Sequence, residues 1–423
     1  MVGLLLLGFP MKVPLLAAAA TAILCFDAFR FASPEILIQQ WITGIQPAAL
    51  IAVPMFILAA EIMTRGQAAT RLLDFVMAFV GHRRGGLPVT SAITCTLFGA
   101  ISGSTQATVV AIGGPLRPRL LRAGYSDPFS IALIINASDL ALLIPPSIGM
   151  IVYGVVSGTS IGELFIAGIG PGVLALTLIC AYCVVASARL GVPPRPAATR
   201  TERRRSLRRV LLPLGFPVIV IGGIYTGAFS PTEAAAVSVL YAAFLEIVVF
   251  RELALRKLPE IARSTALVTA VVFVLVGAGQ AFSWVLSYAE LPRVLVEDVF
   301  ALDADSSRLR VLLSIAAAYF VGCMFVDPIV VILILTPIFA PAAAAAGVDP
   351  VLVGTVVTMQ VAIGSATPPF GCDIFTAIAI FRRPYLEVVR ATPPFILILL
   401  LSALLVILFP PIALALRDLA FAK

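Results

Sequence analysis

Apolar residues in this chain come in long unbroken runs, at 48–60, 210–224, 266–278, 311–325 and 395–415 among others, separated by short clusters rich in Gly, Pro and Arg. A helix needs about 20 apolar residues to cross the hydrocarbon layer, and these runs approach that length once flanking residues are added. The alternation of apolar and polar residues that marks a membrane β-barrel is absent. The backbone therefore has to be satisfied inside helices, and the pattern predicts an all-α polytopic membrane protein. The opening run, residues 1–26, lacks a basic start and a small-residue cleavage site and carries Lys12. It is read as a first membrane helix rather than a secretory signal.

One pattern is written twice. Gly99-Ala100-Ile101-Ser102-Gly103-Ser104, the Ala123-Gly124 turn before Asp127-Pro128, and Ile144-Pro145-Pro146-Ser147-Ile148-Gly149 reappear as Gly322 to Asp327, Ala346-Gly347 before Asp349-Pro350, and Thr367-Pro368-Pro369-Phe370-Gly371. Gly99 to Gly322, Gly124 to Gly347 and Pro145 to Pro368 share one offset of 223 residues. Basic residues change ends between the copies. Arg117, Arg119 and Arg122 follow the opening segment of the first, whereas the second has alanines there and carries Arg382, Arg383 and Arg390 after its proline pair. Lys and Arg of short loops stay on the cytoplasmic side, so the copies are expected to sit upside down relative to each other. Gly/Pro-interrupted apolar segments at corresponding places in two halves point to an inverted-repeat transporter with its binding site at the repeat interface.

A proline pair inside an apolar stretch removes backbone donors and pushes the preceding residue out of helical geometry. In hydrocarbon the freed carbonyls are tolerated only against protein or a watery cavity, so Pro145-Pro146 and Pro368-Pro369 predict two discontinuous helices that line something. The segments around Ser102-Gly103-Ser104-Thr105 and Asp327-Pro328 have small or capping residues at the centre of apolar runs too short to cross twice. They are read as two re-entrant helical hairpins, about 87–122 and 311–346, paired with broken helices at about 128–158 and 350–381. A tip laid against the broken helix of its own repeat creates two oxygen-rich sites for a small hard cation, with substrate between them. Hydroxyls come from Ser102, Ser104, Thr105 and Thr108, with Ser147 and Thr367 flanking the proline pairs, and half-helix N-termini favour an anionic group.

Acids within apolar stretches narrow the candidates, because a charged Asp at mid-bilayer costs about 2.5–3.5 kcal/mol on insertion scales and has to be partnered or functional. Asp373 is assigned to the site in preference to a helix cap. Asp327 is either a ligand or the cap of the helix after Pro328. Asn136 is carried as a substrate contact, with hydrogen bonding across helices its structural alternative, as for Asp139. Asp127 and Asp349, each before a proline, are read as N-caps. Ser230-Pro231-Thr232-Glu233 is a capping box that starts a helix sharply.

Composition removes several function classes. Of 423 residues 61% are hydrophobic and 12% charged, with mean hydropathy +1.08, which no soluble domain of this size shows. The net charge of +7 does not signal nucleic acid, since its densest part, Arg189 to Arg209, is read as a cytoplasmic linker facing anionic lipid. That linker, 188–209, separates an N-terminal half (1–187) from a C-terminal half (210–423). A second basic stretch, 251–263, interleaves leucines with charges and is expected to be an interfacial arm helix. Cys180 and Cys183 form a CxxC without partner ligands and are assigned to packing. An intramembrane enzyme would need HExxH or paired acidic motifs, and the chain has a single histidine, His82. A channel would show a continuous polar file rather than two closed sites.

The Ser-Gly-Ser, Ile-Pro-Pro-Ser-Ile and Ser-Pro-Thr-Glu-Ala-Ala-Ala segments, with Ile363-Gly364-Ser365-Ala366-Thr367-Pro368-Pro369-Phe370-Gly371, closely resemble the DctM-like large membrane subunit of tripartite ATP-independent periplasmic (TRAP) transporters, in order and over nearly the whole length. The resemblance implies a sodium-coupled importer of an organic acid in the bacterial inner membrane, with an elevator-type moving domain, a small DctQ-like membrane subunit and a periplasmic DctP-like substrate-binding protein. By motif match it implies Na+ at Ser102, Gly103, Ser104, Thr105, Pro145, Pro146, Asp327, Gly364, Thr367 and Pro368. Substrate is assigned to Ser147, Asn136, Pro369, Gly371 and Asp373. Many relatives have Gly-Leu-Asn where this chain has Gly371-Cys372-Asp373, and Asn where it has Gln360; the added acid argues against a generic dicarboxylate. Leu4 to Pro10 resembles the middle of the family's first hydrophobic segment, so a longer N-terminus is expected. A self-sufficient sodium- or proton-coupled symporter, built on the same repeat without partners, is the alternative.

Overall fold

The computed structural model describes residues 12–25, 33, 35–194, 196–303 and 306–421, and among them every regular element is helical. Of the stretch read as a first membrane helix, α1 (Lys12–Cys25) is an apolar helix of 14 residues, shorter than a crossing needs, and residues 1–11 and 26 lie outside the described residues. Then come α2 (Glu35–Ile45), α3 (Ala52–Arg65, led in by a 3-10 turn at Ala48–Ile51) and α4 (Ala68–Val80). The first repeat follows as α5 (Gly86–Ser102), α6 (Thr105–Arg122), α7 (Asp127–Ser138) with a 3-10 turn Asp139–Leu142, and α8 (Ile148–Ser157). Helices α9 (Ile161–Leu190), α10 (Arg200–Tyr225), α11 (Pro231–Ala243) and α12 (Leu258–Tyr288) separate the repeats. The second repeat is α13 (Arg308–Phe325), α14 (Pro328–Ala345), α15 (Pro350–Ser365) and α16 (Cys372–Phe381), and α17 (Tyr385–Val389), α18 (Pro393–Leu408) and α19 (Pro411–Phe421) end the chain.

Seven helices among the described residues are long and apolar enough to cross a membrane, or eight if α18 and α19, bent by 57° at their junction, form one span. By length alone α13 and α14 would count as two crossings. Position argues otherwise, because the α5–α6 tip at Gly103-Ser104 and the α13–α14 tip at Asp327 reach one and the same cavity. Two hairpins that enter from opposite faces meet at one depth only if each turns back part way. Both proline pairs fall in gaps, Pro145-Pro146 between Leu142 and Ile148 and Pro368-Pro369 between Ser365 and Cys372, so both following helices are discontinuous.

Opposed orientation is visible in side chains. Asp127, at the start of the first broken helix, accepts from Arg117 of its own hairpin at 2.6 Å and pairs at 2.8 Å with Arg383, just past the end of the second. At the other end of the molecule Gly354, in the first turns of α15, lies against Tyr153 near the close of α8. Start meets end at both poles, as an inverted pair requires.

Two basic stretches fold differently from expectation. The linker 188–209 is not loop throughout, because α10 already begins at Arg200. Thr199 and Glu202 form a capping box, the Thr side chain accepting from Glu202 N and the carboxylate accepting from Thr199 N at 2.7 Å. This satisfies the helix start, and the arginines then run up one continuous helix. The stretch 251–263 is not a separate arm helix: Arg251 has φ +55, a 3-10 turn covers Leu255–Lys257, and from Leu258 the chain is already in the 31-residue α12. The short amphipathic helix is α4 instead, burying Ala68, Ala69, Leu72, Leu73 and Val76 while Arg71 and Asp74 lie on another face.

Candidate functional site

Each hairpin tip is joined by the main chain to the break of its own repeat. Ile148 N donates to Gly103 O at 3.4 Å in the first, and Phe370 N donates to Met324 O at 3.0 Å in the second. The first approach demands glycine: Gly103 has φ +61, and a Cβ there would come within 2.5 Å of Pro146 O. Higher up, a Cβ on Gly99 would meet Ala141 Cα at 2.6 Å, and one on Gly364 would meet Cys323 Cβ at 2.4 Å. Ala141 and Gly364 are one repeat apart, so the same close packing of hairpin on broken helix recurs in both halves.

The second arms exchange partners. Helix α14 of the second hairpin packs on α8 of the first broken helix, and α6 of the first hairpin packs on α16 of the second, where Gly113 faces the Phe381 ring. One polar bond marks this crossing. Asp373, fully buried on α16, accepts from Thr105 Oγ1 at 2.8 Å and from Ser365 Oγ at 2.7 Å. It thereby ties the tip of one repeat to the broken helix of the other.

A cavity of about 460 Å3 opens where these parts meet. The first tip contributes Ser102 to Ala107, the first break Leu142, Ile148 and Gly149, the second tip Asp327 to Ile329, and the second break Cys372. Its opposite wall comes from α3 (Ile57, Ala60, Glu61, Thr64) and α12 (Val268, Val271, Val272, Leu275). Four helix N-termini, those of α6, α8, α14 and α16, present Thr105, Ile148, Pro328 and Cys372 to it. Such termini carry partial positive charge and unpaired N–H groups. The charged side chains of the lining are acidic, Glu61 and Asp327, and no Lys, Arg or His is among them.

Ser102, Gly103, Ser104, Thr105 and Asp327 face this space, whereas Asp373 stands behind Thr105 rather than on the wall. Pro145, Pro146, Thr367, Pro368, Pro369 and Gly371 form the breaks without lining it, and Gly364, in the last turn of α15, does not line it either. Several hydroxyls are already engaged. Ser104 caps α6 by accepting from Ala107 N, Ser147 caps α8 by accepting from Met150 N, and Thr367 Oγ1 donates to Ile363 O at 2.7 Å. Asp327 caps α14, accepting from Ile329 N at 2.9 Å, and also borders the cavity. Asn136 is off the wall; it donates to Ala132 O at 2.8 Å, and its Oδ1 is buried without a donor. Asp127 is not a side-chain cap as its position suggested but an ion-pair partner, whereas Asp349 does cap α15, accepting from Val351 N at 2.8 Å.

Sequence reasoning missed Ser365, which holds Asp373, and the α3 and α12 wall. Glu61 was legible as the one acid between Ala48 and Arg65, in a run otherwise apolar apart from Thr64. Its relation to the tips was not, because nothing in the repeat register includes α3.

Inverted hairpins and broken helices converging on one cavity within a multi-pass helical bundle define a secondary transporter. Comparison with known proteins narrows the class. The chain belongs to the DctM family, the DctM component of the tripartite ATP-independent periplasmic transporters, whose model matches residues 1–412. It is 64% identical to the ectoine TRAP transporter large permease protein TeaC of Halomonas elongata, covering 100% of this chain and 98% of that one. It is 62% identical, with the same coverage, to the ectoine/5-hydroxyectoine large permease protein UehC of Ruegeria pomeroyi. The C4-dicarboxylate permease protein DctM of Pseudomonas aeruginosa is 38% identical over 87% of this chain and 86% of that one. Among solved structures the YdaH transporter of Alcanivorax borkumensis shares the fold, with TM-score 0.62 and 16% identity over 97% of this chain and 96% of that one.

Proposed function

We propose that this chain is the permease through which a binding-protein-dependent, sodium-coupled transporter imports a small zwitterionic organic acid of the ectoine type across the bacterial inner membrane. The observation that carries the reading is the charge pattern of the cavity: four helix N-termini on one set of walls, with Glu61 and Asp327 as its charged side chains. A carboxylate is favoured at the N-termini. A dicarboxylate would bring a second negative charge towards two acids, whereas a cyclic amidinium carboxylate brings its own cation. The two relatives above 60% identity are named for ectoine, and the C4-dicarboxylate permease is more distant, which supports the same choice.

Sodium is assigned to the two tip–break junctions, at Ser102, Gly103, Ser104, Thr105, Pro145 and Pro146 in one repeat and Asp327, Gly364, Thr367 and Pro368 in the other. Carbonyl and hydroxyl oxygens there suit a small hard cation. The interlocked hairpins and broken helices would move as one block against α3 and α12, which wall the far side of the cavity, in an elevator-type motion. A small membrane subunit and a periplasmic binding protein complete the system in this reading, the latter selecting the solute.

The deciding experiment is uptake of labelled ectoine and labelled succinate into vesicles holding the permease and small subunit, with and without a periplasmic binding protein of the ectoine type. Ectoine uptake that needs both the binding protein and an inward sodium gradient is expected. Succinate transported in preference to ectoine would reject the zwitterion, rates unchanged in choline buffer would reject sodium, and full uptake without the binding protein would reject the tripartite arrangement.

A further inference from the structure

A second cavity, of about 850 Å3, lies apart from the first, between α4, the 196–198 segment and the first turns of α10. This is the basic end of the molecule, near Arg83 and Arg84 and the arginine-rich start of α10, and hence the cytoplasmic membrane surface. Arg71, Arg205 and Arg209 line it together with Thr70, Asp74 and Glu202. Both acids are already engaged: Glu202 accepts from Thr199 N and Thr199 Oγ1 in the capping box, and Asp74 faces Arg119 at 3.7 Å. Arg205 and Arg209 are left without an acid bonded to them, and Arg71, which has Glu246 and Glu252 near it, gives no hydrogen bond to the Glu246 carboxylate.

Arg71 is the most buried of the three. Its guanidinium lies over the Phe250 ring, 3.4 Å from the centroid, and its Nε is buried with no acceptor. Burial lowers its pKa, the charges of Glu246 and Glu252 oppose that, and neighbouring Arg209 lowers it further. A buried donor without an acceptor is costly to leave unmade, and a planar guanidinium fork held flat against a ring matches a phosphate geometrically. Leu212, one turn beyond Arg209 on the same side of α10, is 41% exposed, whereas Leu207 and Leu211 lie round the helix from the cavity. Leu212 gives an apolar contact beside the arginines.

We propose that this cavity binds the phosphodiester of an anionic phospholipid headgroup, gripped by Arg71 and Arg209 with Arg205 at the rim, its acyl chains lying along α10. The phosphate chemistry is common to lipid and free anion; the cavity's place at the membrane surface, with Leu212 beside it, selects the lipid. A headgroup here would lock α4 to α10 at the membrane surface.

The test uses the full-length protein in neutral detergent. Thermal unfolding is followed with added phosphatidylglycerol, phosphatidylcholine or inorganic phosphate, and retained lipid is counted by native mass spectrometry. Phosphatidylglycerol is expected to be retained and to raise the midpoint, with phosphatidylcholine and inorganic phosphate leaving it unchanged. Each of Arg71→Gln and Arg209→Gln should weaken phosphatidylglycerol retention roughly fivefold. Arg205→Gln, at an exposed position that folding does not depend on, should give a smaller loss in the same direction. Equal retention of both lipids by the wild type, or unaltered phosphatidylglycerol retention in the Arg205→Gln and Arg209→Gln variants, would overturn the proposal. Stabilisation by inorganic phosphate equal to that by phosphatidylglycerol would overturn the lipid assignment.

Discussion

At the position where the first hairpin carries Ser104 the second carries Asp327, and each accepts a main-chain N–H from the arm it starts. One residue earlier stand Gly103, at φ +61, and Val326, at φ −133. Further along, Asn136 and Asp139 of the first broken helix correspond to the apolar Met359 and Ala362 of the second, while Asp373 corresponds to Met150. Backbone course, close packing and capping are thus repeated, and charge is shared out unequally. The lesson is that the repeat conserves what a bilayer imposes on the main chain, whereas the polar side chains are free to differ because both halves feed one cavity.

The sharpest way to break this comparison is to exchange the residues at the tips. Gly103→Val should destabilise by about 3 kcal/mol or more, through the left-handed φ and the contact with Pro146 O, leaving little folded protein and no uptake. Val326→Gly, at the extended counterpart, should keep fold and transport; equal damage from both would deny that the tips are built differently. Fluorescence-detected size exclusion with uptake reads both.

Next in size is the bond across the repeats. Asp373→Ala strands the hydroxyls of Thr105 and Ser365, at about 1–3 kcal/mol each, and should lower uptake roughly ten- to a hundredfold. Thr105→Val combined with Asp373→Ala should cost less than the sum of the single changes by about 0.5–3 kcal/mol. Strict additivity would show that the bond does not couple the halves.

The two poles differ in their ion pairs, which acid should reveal. The hydrogen bond from Arg117, opposed by burial and reinforced by the charges of Arg117 and Arg383, holds the Asp127 carboxyl below the ordinary carboxylate value. At Asp349 burial pushes upward, yet the bond from Arg417 and the N–H groups of Val351 and Leu352 outweigh it, and the carboxyl again lies low. A depressed folded pKa stabilises fully above the unfolded value of about 4 and is lost as pH falls through the folded one. Asp127→Asn should therefore destabilise by about 1.5–3 kcal/mol at pH 7, with the gap to wild type closing towards pH 3 in thermal unfolding. A gap that does not narrow at all as pH falls below about 4 would separate the effect from ionisation.

The smallest expected change is Ser104→Ala, about 1 kcal/mol for a lost N-cap. Its effect on sodium activation should exceed its effect on the unfolding midpoint if the hydroxyl also meets the ion; the reverse order would leave it a cap alone.

Much of this was legible in the chain. Three glycine and proline anchors in one register located the hairpins and breaks, because breaking a membrane helix requires those residue types whatever the surroundings. The cavity's far wall was not legible, since α3 and α12 are ordinary apolar helices whose facing side depends on tertiary packing. The start of α10 was misjudged for a different reason. Thr199-x-x-Glu202 has the same form as Ser230-x-x-Glu233, but dense arginines looked like a solvated loop, and a capping box outweighs that impression. Asn136 pointed away from the cavity because a polar side chain on a buried helix can turn back to its own carbonyls, as it does to Ala132 O.

The exchange of arms between repeats bears on biogenesis. Helix α8 finds its cover, α14, only after about 180 further residues have been made, and at ribosomal speeds that is a wait of roughly ten to forty seconds. Throughout it the Pro145-Pro146 interruption has left the ribosome without its final neighbour. The insertion machinery, or a lipid-shielded intermediate, has to shelter that nascent segment until the C-terminal hairpin arrives.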